Sequence, residues 1–266
     1  MQFPTYIIDT FTSERFRGNP TAVCCVDKNV QAGVMQSTAT ELDLPVTAFI
    51  ARRDMPEEYD IKYFTPTTEI PACGHATLAA AKTAGIAHGV ETPVFHTINN
   101  IAIKAIAEGD AIMMSYPVYQ LQPFIMNDDL LKSLGLNNYK SAGYCSELEA
   151  LFIELDAETL RKVQPDYTAM VRSNDMIKEV VLTSESDEKE YDYLLRSFCP
   201  WIGIDEDPVT GSVHSVLAGF WKERLNKHAL VACQASERGG EILVRNYNDR
   251  IEIGGRMTMQ TISMTR

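Results

Sequence analysis

Phe64-Thr65-Pro66-Thr67-Thr68-Glu69-Ile70-Pro71-Ala72-Cys73-Gly74-His75-Ala76-Thr77-Leu78-Ala79-Ala80-Ala81 is the stretch on which the fold turns. Its first residues close a strand-like run, its prolines and polar residues read as a loop, and the residues after Gly74 are small, almost uncharged and helix-forming. A helix from His75 to Ala84 with so little charge reads as buried, and Gly85 is expected to stop it. A second stretch resembles the first. Phe198-Cys199-Pro200 leads to Gly211, after which Val213, Val216, Leu217, Phe220, Trp221 and Leu225 share one helical face. Gly74 follows Pro66 by eight positions and Gly211 follows Pro200 by eleven, a weak internal repeat for which local coincidence is the alternative.

Strand signals surround both stretches. Ahead of the first lie Thr5 to Asp9, Ala22 to Val26, Val46 to Ala51 and Tyr59 to Thr65, with Gly18-Asn19-Pro20 as loop chemistry and a helix from Asn29 to Leu42. Glu91 to Thr97, Ile101 to Ala107 and Ala111 to Tyr116 come after it. The pattern restarts near Pro117, with helices at Asn127 to Leu134, Ala157 to Val163 and Asp166 to Arg172. Strands are expected at Tyr139 to Cys145, Leu151 to Leu155, Ile177 to Thr183, Tyr191 to Phe198 and four places after Ala229.

The 266 residues suffice for one large or two ordinary domains. With 24 Lys plus Arg against 36 Asp plus Glu, the net charge of −12 disfavours nucleic acid and anionic membrane surfaces as partners. No apolar run reaches the ~20 residues that a membrane helix needs, and Met1 to Thr10 does not read as an export signal. The six cysteines are sparse and lack CxxC spacing, which suggests reduced thiols in a cytoplasm, and five scattered histidines give a metal site nothing to build on. No dinucleotide, P-loop, hydrolase-elbow or zincin pattern occurs, so any chemistry is expected to need no cofactor.

The two glycine-marked helix starts are where chemistry is expected. Helix N-termini offer unpaired N–H groups and partial positive charge, and glycine permits close approach, so two such ends facing one cleft would hold a carboxylate. Cys73 at one start would be biased toward thiolate, and His75 toward its neutral form. Asp207, before Pro208, is either a general base or a turn cap. Glu69 reads as a solvated loop charge, and Trp201 and Trp221 as core or pocket wall.

Several blocks together resemble the PhzF-like (phenazine biosynthesis) family, of the diaminopimelate-epimerase-like superfamily. They are Asp9-Thr10-Phe11, Gly18-Asn19-Pro20-Thr21-Ala22-Val23, Phe64 to Glu69 running into Cys73 to Ala81, Glu206 to His214, Gln234 to Gly240, and Gly254-Gly255-Arg256. The resemblance implies an α/β chain of the α+β type with two similar domains, each a mostly antiparallel, barrel-like sheet around a central helix. It implies residues 1–118 as the first domain, joined by a C-terminal strand at 256–266, and 119–255 as the second, with the ligand cleft between them. It also implies a homodimeric, cofactor-free isomerase or epimerase moving a proton on a small carboxylate-bearing substrate. By motif position, His75 and Asp207 match the family's active-site histidine and aspartate; Cys73 is a further candidate base. Asn19, Gly74, Thr210, Gly211 and Ser212 fall among the substrate-binding groups.

One position departs from the family pattern. Where the family usually reads Leu-Ser-Glu-Thr-x-Phe, with the glutamate as principal acid/base, this chain has Leu44-Pro45-Val46-Thr47-Ala48-Phe49. Val46 cannot carry a proton, and Glu41 or Asp43 could replace it only if a strand slipped in register. A binding protein of the same fold without turnover is therefore the alternative to an isomerase. A cysteine hydrolase using Cys73 and His75 is a third reading.

Overall fold

Runs of β-branched and apolar residues become strands through most of the chain, and the computed structural model describes residues 2–264. Residues 1, 265 and 266 lie outside the described residues, including the last two of the expected C-terminal strand. Contacts divide the chain into one unit of Met1–Ser115 with Ile253–Arg266 and another of Tyr116–Glu252.

The first unit holds β1 (Pro4–Thr10), β2 (Asn19–Cys25), α1 (Ala32–Leu42), β3 (Val46–Arg52), β4 (Glu58–Phe64), β5 (Glu69–Ile70), α2 (Gly74–His88), β6 (Val94–His96), β7 (Ala102–Glu108) and β8 (Ala111–Tyr116). The second holds β9 (Gln122–Pro123), α3 (Asp128–Ser133), β10 (Ser141–Cys145), β11 (Ala150–Glu154), α4 (Ala157–Lys162), α5 (Tyr167–Ser173), β12 (Glu179–Glu185), β13 (Tyr193–Phe198), α6 (His214–Leu225), β14 (Ala229–Gln234) and β15 (Gly240–Asn246). The last strand, β16 (Ile251–Met264), begins at the end of the second unit and belongs mainly to the first.

In the first unit eight strands close on themselves in the order β1-β2-β3-β4-β6-β7-β8-β16, because β16 also pairs with β1. Closure removes the exposed edges that an open sheet would leave. Gly254 is required there: a β-carbon at that position would lie 1.9 Å from the carbonyl oxygen of Ile112 on β8. Helix α2 contacts β1, β2, β3 and β7, and every residue from Ala76 to Ala81 is buried, as befits a helix enclosed on all sides. Alanine and threonine fit that space. A separate cluster packs α1 on the sheet, where Phe49 meets Phe64 edge-on at 5.5 Å and Phe3 at 6.2 Å.

In the second unit seven strands run in the order β15-β14-β13-β12-β11-β10-β9, with α6 against β14 and β15. The two sheets share one pairing scheme. β1–β2 antiparallel, β2–β3 parallel, β3–β4 antiparallel, β4–β6 parallel and β6–β7 antiparallel are matched by β10–β11, β11–β12, β12–β13, β13–β14 and β14–β15 with the same alternation. Each parallel pair requires a crossover, and helices supply them: α1 and α2 in the first unit, α4 with α5 and then α6 in the second. The fold is thus α+β with two similar barrel-like halves.

Several local expectations are corrected. Helix α2 continues through Gly85 to His88 and stops at Gly89, which adopts a left-handed φ of 70° and donates to the carbonyls of Ala84 and Gly85. An internal glycine weakens a helix by about 1 kcal/mol, less than enclosure by the sheet restores. Asn19 and Pro20, read as loop, open β2. Helix α6 begins at His214, with Gly211–Val213 forming a tighter preceding turn in which His214 and Ser215 donate to the carbonyls of Gly211 and Ser212. The strand expected over Glu91 to Thr97 is confined to Val94–His96, and α1 starts at Ala32 rather than Asn29. Among the described residues no helix is long and apolar enough to cross a membrane.

Candidate functional site

Helix starts divide into two kinds. The peripheral helices α3, α4 and α5 are capped by the side chains of Asn127, Asp156 and Asp166, which accept from the N–H groups of Leu130, Thr159 and Ala169. Among the described residues, α1, preceded by Gln31, α2, preceded by Cys73, and α6, preceded by Val213, receive no such side-chain cap. An uncapped N-terminus keeps its polarity available for an anion.

In the first unit the start of α2 gathers Asn19, Cys73, Gly74 and His75. Asn19 is fully buried at the head of β2, and its amide nitrogen lies 3.4 Å from His75 Nδ1. Cys73 Sγ is 3.4 Å from the same nitrogen and 3.6 Å from Nε2. Only one donor can use the lone pair on Nδ1, so these are alternative long contacts around one ring. His75 keeps some accessible surface but is packed closely enough that burial lowers its pKa to about 4, which makes it neutral at pH 7. Behind it the first turn is pinned: Thr77 Oγ1 donates to Cys73 O at 2.7 Å and meets the Tyr63 hydroxyl at 2.6 Å. Glu69 is not a solvated loop charge. It pairs opposite Phe64 in β5, and its Oε1 is buried without a hydrogen-bond partner among the described residues.

At the register position of the absent glutamate, Val46 is the first residue of β3 and 5% exposed. Glu41 and Asp43 are exposed at the end of α1, and no slip brings either to that place.

In the second unit Asp207, Thr210, Gly211 and Ser212 lie together before α6. Thr210 Oγ1 donates to Asp207 Oδ2 at 2.5 Å. Gln234, buried on β14, clamps the loop from both sides: its Oε1 accepts from Thr210 N at 2.8 Å, and its Nε2 donates to Asp207 O at 2.7 Å. Ser236 Oγ donates to Pro208 O at 2.6 Å and accepts from Gly239 N at 3.1 Å. The Gln234 to Gly240 block therefore acts as a brace for the Asp207 loop. Beside it, Arg196 forms a two-pronged pair with Glu206 at 2.8 and 2.9 Å and donates to Val163 O at 2.7 Å, which anchors the residue preceding Asp207. His214 is enclosed. Its Nδ1 meets the Tyr193 hydroxyl at 2.5 Å, its Nε2 has no hydrogen-bond partner among the described residues, and burial lowers its pKa to about 3.

Sequence reasoning missed Glu179, the first residue of β12. Ser197 Oγ donates to Glu179 Oε1 at 2.5 Å. Burial, offset in part by that hydrogen bond and reinforced by the negative charge of Asp207, raises the Glu179 pKa to about 7. The Cys199 thiol shares this surrounding, and burial first, then Glu179 and Asp207, pushes its pKa well up. The available signal was a carboxylate inside the apolar strand pattern Ile177 to Thr183. Chemically, the first cluster offers a neutral imidazole beside a cysteine sulfur, and the second offers two carboxyls with hydroxyl and amide donors.

The profile described as phenazine biosynthesis-like protein matches residues 8–261. An uncharacterised isomerase of Halalkalibacterium halodurans is 35% identical over 261 residues, covering 96% of this chain and 95% of its own. The crystal structure of a phenazine biosynthesis protein of the PhzF family from Enterococcus faecalis matches with a TM-score of 0.91 at 32% identity, covering 100% of both chains. A probable proline racemase of Agrobacterium radiobacter K84, 9% identical with a TM-score of 0.59 over 98% of this chain and 92% of its own, shares the fold alone.

Proposed function

Because the chain belongs to the phenazine biosynthesis-like family, we propose that it is an isomerase that moves a proton on a small carboxylate-bearing molecule without a cofactor. The single observation that carries this reading is the braced Asp207 loop. A carboxylate whose orientation is fixed by Thr210 and whose backbone is held by Gln234 stands before an uncapped helix. Asp207 is the base that removes a proton next to the substrate carboxylate, which makes the bound anion the group that the helix start and Ser212 hold. His75, neutral at working pH, donates or orients through hydrogen bonds, and Cys73 is the alternative base of the first unit.

Deuterium uptake from heavy water into a panel of cyclic and acyclic amino and hydroxy acids tests this. Asp207→Asn should slow uptake by about 10²-fold or more; equal rates in the variant and the wild type would remove Asp207 as base. A double-mutant cycle with His75→Ala reads whether both helix starts serve one reaction, in which case the losses do not add. A homodimer in the cytoplasm completes the proposal, and light scattering of the purified chain checks the dimer.

Val46, apolar and buried, favours one second reading, a binding protein without turnover. A carboxylate from the panel that raises the melting temperature yet is neither exchanged nor converted would support it.

A further inference from the structure

The shared pairing scheme lets residues of the two units be matched by register. In the first unit Thr47 on β3 stands opposite Phe64 on β4; in the second, Val180 on β12 stands opposite Phe198 on β13. Phe64 and Phe198 open the two Phe-x-Pro stretches, so the match agrees with the sequence repeat. One residue earlier on each strand lie Val46 and Glu179, the first residues of β3 and β12, with parallel partners Thr21 on β2 and Ala150 on β11. The second unit thus carries a carboxyl at the place where the first carries an isopropyl group.

We propose that Glu179 is a second catalytic carboxyl of this chain and works with Asp207 as an acid/base pair. The proposal rests on the isomerase reading above and assigns the proton donor that Val46 cannot be. Ser197 on β13 ties the two groups together: its hydroxyl donates to Glu179 Oε1, and its carbonyl accepts from Asp207 N at 3.0 Å. The titratable groups against Glu179 are Asp207, from the loop before α6, and Cys199, from the end of β13. Burial and the Asp207 charge disfavour ionisation of Glu179, the Ser197 hydroxyl and the Cys199 thiol favour it through hydrogen bonds, and the first two prevail, so one carboxyl of the pair holds its proton near neutral pH. The two carboxyls then divide the labour. Asp207 carboxylate takes a proton from the carbon next to the substrate carboxylate; that C–H bond breaks, an O–H bond forms, and the electron pair moves into an enolate-type anion. Glu179, as carboxylic acid, gives its proton to the carbon where the new C–H bond forms. The substrate leaves as an isomer, Asp207 is left protonated and Glu179 ionised, and one proton exchanged with water resets the pair.

The test compares wild type, Glu179→Gln and Ser197→Ala in deuterium uptake across pH 5 to 9 with the same acid panel. Glu179→Gln, nearly isosteric, should lose about 10²-fold or more, and the wild-type limb near pH 7 should vanish from what remains. Ser197→Ala removes a hydrogen bond to the ionised form and should move that limb upward. Wild-type rate and pH profile in Glu179→Gln would overturn the proposal, because a structural role would leave the limb in place. Infrared difference spectra of wild type against Glu179→Gln, without substrate, separate this from the fate of the isomerase reading. A protonated-carboxyl band present at pH 6, lost by pH 8 and missing in the variant supports the pair even if no acid in the panel exchanges. Its absence overturns the pair.

Discussion

The two central helices solve one architectural problem with opposite materials. Helix α2 is enclosed by a closed ring and packs through small residues, Ala76, Ala79, Ala80 and Ala84 among them. Helix α6 carries Trp221, stacked on Tyr193 at 5.8 Å and donating through Nε1 to Thr183 Oγ1 at 2.9 Å. Their leading ends differ in the same sense. Long contacts of 3.4 to 3.6 Å surround His75 at one, whereas bonds of 2.5 to 2.8 Å hold Asp207 and Thr210 at the other. Strand pairing tolerates such divergence because backbone hydrogen bonds set it, leaving the side chains at the helix starts open to change.

The largest test of this contrast is Trp221→Ala, which should cost about 3–5 kcal/mol through lost volume and the lost donor to Thr183 Oγ1, which keeps its own bond to Leu194 O. In α2 the fault should run the other way, with Ala79→Leu destabilising by overpacking, about 1–3 kcal/mol. Urea unfolding of both variants checks the pair, and a tolerated Ala79→Leu would show that the ring leaves room around its helix.

Acid should expose the next difference. His75 and His214 have folded pKa values of about 4 and about 3, below the ordinary 6.5, so the unfolded chain binds their protons more readily. Their contribution is complete above pH 6.5 and lost as pH falls, His214 continuing to lose below the point where His75 has titrated. The limiting slope is about 1.4 kcal/mol per pH unit for each. Glu179, raised to about 7 from 4.5, acts with opposite sign: its stabilising share is present below 4.5 and lost as pH rises through 7. Melting temperatures from about pH 2.5 to 8 for His75→Gln, His214→Gln and Glu179→Gln separate the three, the two histidines diverging below pH 4. Glu179→Gln should gain most over wild type at pH 8 and nothing at pH 4.

The smallest effect compares the two braces. Gln234→Ala leaves Thr210 N and Asp207 O unpartnered by that side chain and should cost about 1–3 kcal/mol. Asn19→Ala removes a long contact to His75 and should cost less. Equal losses, measured by thermal melts, would mean that the first cluster is held as firmly as the second.

These contrasts also mark what the residues alone disclosed. The Cys73–His75 and Asp207–Ser212 groups were visible because each lies within a few residues of its helix start, where local rules operate. Gly85 misled because enclosure by a sheet, a non-local effect, outweighed its local weakness. Glu179 stayed hidden because its neighbours, Ser197, Cys199 and Asp207, reach it across β13, and only strand register brings them there. Gln234 was legible as a motif letter and not as a clamp, since its partners lie more than twenty residues away.

The return of β16 to β1 carries a consequence for how the chain is made. Synthesis delivers β1 to β8 early, yet their ring cannot shut until Ile253 and the residues after it have left the ribosome. The half translated later is contiguous and needs no such wait, so it can reach its native form while the earlier half still holds an open seam. Order of birth and order of completion are inverted, and the nascent β1 edge is what a chaperone would have to shelter meanwhile.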